Sequence, residues 1–267
     1  MSATDLAFVI LGNGLALAFI ALSVSKRVIG RHLLLSLYAM GLLLCDGVRW
    51  AFLRSYGFSS KPYYYVYYSS DLCLVVLRYL VILSVFDLIL RNSLLRVQAR
   101  RAFLGFFAIV AGMSYAVVSH NWSGPYSRLI FEFQQNLYFA CVVLTVLLCV
   151  TLTQLRVTDP VLRTLVYGLG VSAALLASGN ALQSVLADLT QRGTLNKAVL
   201  DSFAVVIGRM HALATVSMLA LWCYALAHVK ASMPITDSGE VPEPDTVTAQ
   251  VPAFALAHAF LRAEVRS

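Results

Sequence analysis

The chain has 267 residues, of which 60% are apolar and 12% are charged, and its formal net charge is +7. An ordinary soluble domain carries roughly 25% charged and roughly 45–50% apolar residues. The composition therefore excludes a soluble domain, a disordered chain and a disulfide-stapled secreted module. It leaves an integral membrane protein of several spans.

Hydropathy along the chain divides it into spans. A helix needs about 20 mostly apolar residues to cross about 30 Å of hydrocarbon. The stretches do not show the period-2 alternation of barrel strands, so helices are expected. We predict an all-α integral membrane protein, a seven-transmembrane-helix bundle over residues 1–230. Its spans are at 6–25, 32–53, 64–90, 102–119, 129–154, 161–187 and 201–228.

The basic residues of the short loops predict the orientation, because Lys and Arg concentrate on the cytoplasmic side. The two sides hold ten and five of them. The richer side holds Lys26, Arg27, Arg31, Arg91, Arg96, Arg100, Arg101, Arg156, Arg163 and Lys230. The poorer side holds Arg54, Lys61, Arg128, Arg192 and Lys197. The N-terminus is therefore predicted outside and the C-terminus in the cytoplasm.

The last segment, 231–267, differs in composition from the rest. Prolines alternate with Asp and Glu between Pro234 and Pro252, which is typical of a solvated linker. We predict an acidic, Pro-rich cytoplasmic tail that is mostly disordered. Nucleic acid is not an expected partner, because the basic charges are spread over many loops and not gathered on one soluble face.

Several predicted spans carry ionisable side chains, which are costly in hydrocarbon and usually face the interior of a bundle. Asp46 and Arg49 are three residues apart in the second span, so they share a helical face and can pair. Asp71 and Arg78 are seven apart in the third span and again share a face. We expect Arg78 to have acidic partners in the folded protein.

Most of these polar groups fall in the outer half of the bilayer, whereas the inner half is mainly Leu, Val, Ile and Ala. This asymmetry predicts an outward-opening cavity for a small polar or anionic ligand, closed below by Leu and Val side chains. Two alternatives remain open: polar contacts that fix helix packing, and a proton or ion relay. The predicted lining residues are Asp46, Arg49, Asp71, Arg78, Gln135, Asn180 and Arg209.

Motifs for catalysis, cofactors and metals were sought and not found. The seventh span has no lysine before Lys230 that could form a retinal Schiff base. His211 stands alone in a span, where a histidine is more often a hydrogen-bonded structural residue, and a metal site needs several ligands. No hydrolase, zinc-protease or nucleotide-binding pattern occurs. The expectation is a protein that is not an enzyme and has no cofactor or metal.

A resemblance rests on the run Tyr64-Tyr-Val-Tyr-Tyr68, then Ser70-Asp71, Phe86-Asp87 and the basic loop Arg91–Arg101. This pattern resembles a set of uncharacterised bacterial seven-span proteins and is distantly similar to the seven-span sensor modules of bacterial histidine kinases. The resemblance implies a stand-alone sensor or an accessory subunit, and it transfers no catalytic residue.

Together these observations favour a receptor-like or sensory protein of the bacterial inner (plasma) membrane. Its outward-facing pocket would bind the ligand, and a separate cytoplasmic or membrane protein would carry the signal. The alternatives are a small-solute or ion transporter or channel subunit, and a non-catalytic subunit of a larger membrane complex.

Overall fold

The structure is a computed structural model that describes residues 3–28, 30, 33–58, 60–91, 95–119, 125–157, 159–191 and 197–228. The predicted acidic tail, 231–267, lies outside the described residues.

The described residues form seven helices and no strands, which confirms the all-α prediction. Every predicted span lies largely within a helix, although α4 begins before the predicted residue 102 and α5 before 129. The helices are α1 (Ala3–Ser25), α2 (Leu33–Tyr56), α3 (Lys61–Ile89), α4 (Leu95–Ser119), α5 (Pro125–Gln154), α6 (Pro160–Gln191) and α7 (Lys197–Ala227).

Local sequence explains several of the helix ends. Ser60 caps α3 by accepting a hydrogen bond from the Tyr63 amide at 3.3 Å, which satisfies one of the free amides of the first turn. Arg27 and Arg156 follow the ends of α1 and α5 with φ of 55° and 49°. At the end of α1, the Val28 amide donates to the Ser23 carbonyl at 3.1 Å, as in a Schellman motif.

Six of the described helices are long and apolar enough to cross a membrane, namely all except α4. The first two turns of α4 carry Arg96, Arg100 and Arg101, which shortens its apolar stretch. Large apolar side chains such as Leu44, Ile109 and Val143 point away from the bundle and are exposed. A lipid bilayer is the environment in which such surfaces are stable.

Helix packing places α4 apart from the other six helices. Going round the bundle, α1 packs on α2, α2 on α3, α3 on α5, α5 on α6, α6 on α7, and α7 on α1. These contacts close a ring of six helices, while α4 packs outside the ring on α3 and α5. The six ring helices are the same six that are long and apolar enough to span.

One part of the ring interior is filled by a tightly packed aromatic core. The Trp222 ring is fully buried, its centroid lies 5.4 Å from that of Phe19 and 5.9 Å from that of Tyr38, and its Nε1 donates to the Leu165 carbonyl at 3.1 Å. A Cβ at Gly168 would lie 3.0 Å from the indole ring. Only glycine at position 168 therefore lets α6 approach α7 this closely.

We predict that Gly168→Leu lowers the melting temperature of the detergent-solubilised protein, because the new side chain must displace Trp222. Overpacking of this kind costs about 1–3 kcal/mol. The control is Gly105→Leu on α4, where an added Cβ meets nothing within 4 Å. Equal melting temperatures for the two variants in a thermal-unfolding assay would contradict the close α6–α7 contact.

Candidate binding cavity

A cavity of about 300 Å³ lies inside the helix ring, at the level where the ring is not filled by the aromatic core. Its walls come from all six ring helices and not from α4. Ligand pockets typically range from about 300 to about 1,000 Å³, so this volume suits a small molecule. The polar and aromatic lining residues are Phe8, Asn13, Tyr38, Asp46, Arg49, Tyr67, Asp71, Arg78, Tyr138, His211 and Thr215.

The end of the cavity near the α2–α3 loop is built around Arg49. Its guanidinium donates to the Ser70 hydroxyl at 2.6 Å and to the Tyr67 carbonyl at 3.2 Å, and it lies 4.6 Å from the centre of the Tyr67 ring. It also forms an ion pair with Asp71 at 3.4 Å. The partner of Arg49 thus lies on the neighbouring helix. Asp46 and Arg49 could pair within α2, but among the described residues the ion pair of Arg49 is with Asp71 of α3.

The other end of the cavity contains Arg78, which is only 3% exposed. Its Nη2 donates to the Tyr38 hydroxyl at 2.5 Å, and its Cζ lies 5.4 Å from the Tyr38 ring centre and 6.0 Å from that of Tyr138. Within the described residues, Arg78 Nε and Nη1 have no hydrogen-bond partner. The predicted acidic partner of Arg78 is not found there either, because Asp71 lies about two turns away on α3 and pairs with Arg49.

Asp71 also accepts a hydrogen bond from the Tyr138 hydroxyl at 3.3 Å. Tyr138, whose ring lies beside Arg78, therefore stands between the two ends of the cavity. The side chains of Arg49 and Asp71 are 17% and 24% exposed, far more than Arg78. The cavity is therefore more open at the Arg49 end, and Arg78 lies at its closed end.

His211 lines the cavity from α7, and its Nε2 is buried without a partner among the described residues. The ring packs against Gly179 of α6, where a Cβ would lie 3.0 Å from Nε2. The sequence predicted a hydrogen-bonded structural histidine, and the ring does form a hydrogen bond with the backbone of Leu176 on α6. Its Nε2 is buried against Gly179 and has no partner among the described residues. The spacing of Gly208, His211 and Thr215, which places them on one face of α7, could have identified His211 as a lining residue.

Three of the seven predicted site residues do not line the cavity, namely Gln135, Asn180 and Arg209. Arg209 is half-exposed and instead contacts α1, where its Nε lies 3.7 Å from Asp5 Oδ1. It follows Gly208 by one residue, which turns it about 100° away from the lining face of α7. Asn180 is buried one turn beyond the lining residue Leu176, and Gln135 is one turn from Tyr138.

Three tyrosines of the cavity were missed as site residues: Tyr38, Tyr67 and Tyr138. The sequence spacing could have identified Tyr38 and Tyr67, because the lining residues recur every three or four positions along α2 and α3 and so share one face of each helix. These lining residues are Tyr38, Leu42, Asp46 and Arg49 on α2, and Tyr67, Asp71, Leu74 and Arg78 on α3.

The described residues contain no group of three His, Cys, Asp or Glu side chains placed to hold a metal ion. Outside the ring, Asp87 at the end of α3 forms a two-point ion pair with Arg96 of α4. Hydrogen bonding to the Asp87 carboxylate raises the pKa of Arg96. This contact joins α3 to α4 and lies apart from the cavity.

The fold and its apolar outer surface define a multi-pass α-helical membrane protein with a charged cavity inside its helix ring. Comparisons with models of protein families, with curated proteins and with solved structures found no match to this chain.

We predict that Arg78→Met raises the melting temperature, because methionine removes a buried charge and the unpartnered N–H groups of Nε and Nη1. Such groups cost about 1–3 kcal/mol each when buried without a partner. Asp71→Asn should instead lower it, since Arg49 then loses its ion pair. Arg54→Met, at an exposed position, is the control for loss of an arginine. A lower melting temperature for Arg78→Met would show that Arg78 stabilises the empty protein.

Proposed function

We propose that the protein is a receptor-like or sensory membrane protein whose cavity binds a small polar or anionic ligand. The observation that carries the proposal is Arg78, a buried cation on the cavity wall with two nitrogens, Nε and Nη1, whose N–H groups no described residue accepts. Buried charges are normally paired, so an unpaired one on a cavity wall indicates a partner from outside the chain.

The proposed topology has seven spans, with α4 as the span outside the ring, the N-terminus outside and the C-terminus in the cytoplasm. The ten-to-five distribution of basic loop residues supports this orientation. In this frame the α2–α3 loop lies outside, and the exposed Arg49 end of the cavity opens to the exterior. The resemblance to bacterial sensor modules supports the bacterial inner membrane as its location.

The proposed signal is a change in helix packing. A ligand shifts the balance between two packings only if it binds one of them more tightly. All six ring helices line the cavity, so a bound molecule lies between the helices whose packing would change. A separate protein at the basic cytoplasmic loops would then carry the signal.

A transporter is the alternative, and it would need a polar path from the cavity to the other membrane face. The side of the cavity beyond Arg78 leads to the buried Trp222, Phe19 and Leu165. Asp87 is the acidic residue within the predicted spans that lies nearest the predicted cytoplasmic face, and it lies instead in a separate groove of about 270 Å³ with Arg96 and Arg100. This arrangement favours a binding role over a transport role.

We predict that cysteines introduced at Ser59 and Ser238 are labelled from opposite sides of the membrane, with Ser59→Cys reacting from outside intact cells. The measurement is labelling by a membrane-impermeant maleimide before and after cell lysis. The unsubstituted protein provides the baseline for its five native cysteines. Labelling of Ser238→Cys from outside intact cells would reverse the proposed orientation.

We predict that a thermal-shift screen of polar metabolites and small organic anions identifies a ligand that stabilises the solubilised protein. A ligand at 100 times its Kd stabilises by about 2.7 kcal/mol. The shift should be lost in Arg78→Gln and retained in Arg209→Gln, which removes an arginine outside the cavity. A ligand whose affinity is unchanged in Arg78→Gln binds elsewhere, and a screen without any hit would refute the binding role.

A further inference from the structure

The ionisable side chains of the cavity are distributed unevenly along its length. Asp46, Arg49 and Asp71 lie at one level, because Cys45 on α2 lies beside Ser70 on α3, with its Sγ 3.8 Å from the Ser70 carbonyl. Arg78 follows Asp71 by seven residues, which places its Cα about 10 Å further along α3. The cavity therefore has two carboxylates and one arginine at its open end, and one arginine at its closed end.

Pairing within the protein leaves one charge of each sign unmatched. Arg49 is within ion-pair distance of Asp71, and no other carboxylate in the described residues lies within 4.0 Å of it. Asp46 lines the cavity half-buried, with neither a hydrogen bond nor an ion pair among the described residues. With both carboxylates ionised, the open end carries a net charge of −1 and the Arg78 end a net charge of +1.

A charge separated in this way is costly inside a bundle, where the surroundings screen it poorly. A ligand with only a negative group would compensate Arg78 and leave Asp46 unmatched. A ligand with only a positive group would do the reverse. A molecule that carries both groups would match both ends and leave the loaded cavity neutral.

We propose that the ligand is a small zwitterion of the aminocarboxylic acid class, with its carboxylate at Arg78 and its ammonium group at Asp46. This inference rests on the proposed function, since it names the ligand class of the same cavity. Tyr38 and Tyr138 present aromatic walls to the cavity. The volume of 300 Å³ equals that of about ten liquid waters, which suits a molecule of this size.

The test uses trios of probes that share a skeleton and differ in charge. They are glycine, acetate and methylamine; 4-aminobutyrate, butyrate and butylamine; and phenylalanine, 3-phenylpropionate and 2-phenylethylamine. Affinities are measured by thermal shift and by isothermal titration on the full-length solubilised protein. We expect the zwitterion of at least one trio to bind at least about tenfold more tightly than both of its analogues.

Variants assign each charged group of the probe to its partner. Asp46→Asn should weaken the zwitterion by about 10- to 100-fold, to the level of its carboxylate analogue, and leave that analogue's affinity unchanged. Arg78→Gln should weaken both. Asp5→Asn and Arg209→Gln, which remove charges outside the cavity, should change neither. If Arg78→Gln does not fold, the change of preference in Asp46→Asn still decides the question.

The outcomes separate this inference from the proposed function. If the carboxylate probe binds as tightly as its zwitterion and its affinity is unchanged in Asp46→Asn, the zwitterion proposal is refuted. The proposal of an anion-binding cavity then still stands. No binding by any trio, together with an Arg78-dependent ligand from the metabolite screen, also refutes the zwitterion alone. No ligand in either experiment refutes both.

Discussion

The structure depends on how a bundle of apolar helices accommodates the charge of Arg78. An arginine in this position must keep its guanidinium out of hydrocarbon, and the ring supplies two phenol rings and one hydroxyl. A cation over an aromatic face gains about 0.5–2 kcal/mol, and the Tyr38 hydroxyl accepts one of the donors. These contacts make burial tolerable without neutralising the charge. Among the described residues, Nε and Nη1 remain without a partner.

Around this arginine the ring divides into two regions with different packing. Beyond Arg78, side chains from α1, α2, α6 and α7 fill the interior, with Trp222 fully buried against Phe19 and Leu165. Towards the α2–α3 loop, glycines and short side chains on α1 and α7, among them Gly12 and Gly208, leave the space that forms the cavity. The same ring thus contains a rigid core at one level and a hydrated, charged space at the other. Because α4 lies outside, it contributes to neither region.

Hydropathy was enough to predict the helices, and intramembrane charge was enough to identify four of the cavity residues: Asp46, Arg49, Asp71 and Arg78. The other site predictions depended on two things that the sequence pattern does not give: which face of its helix a residue occupies, and which helices are neighbours. Arg209 has the right residue type and depth, but it lies about 100° from the lining face of α7. Arg49 pairs with Asp71 of α3 and not with Asp46, which is closer in sequence, because α2 and α3 are in contact. Hydropathy does not predict which helices pack against each other. Neither the pairing of Arg49 with Asp71 nor the position of α4 outside the ring could therefore be predicted.

Tyr38 connects the cavity to the core, which gives the proposed sensory role a physical route. Its hydroxyl accepts from Arg78, and its ring packs edge-on to Trp222 with centroids 5.9 Å apart. A carboxylate forms roughly twice as strong a hydrogen bond to a guanidinium as a neutral hydroxyl does. An anionic group bound at the unpartnered Nε and Nη1 of Arg78 would therefore draw the guanidinium away from the Tyr38 hydroxyl, which is bonded to Nη2. If Tyr38 is displaced, its ring must move against Trp222, and Trp222 has no free space because Gly168 already holds α6 against it. Binding in the cavity would thus change the contact between α6 and α7, because the tightly packed core around Trp222 has no room for Tyr38 to move without displacing its neighbours.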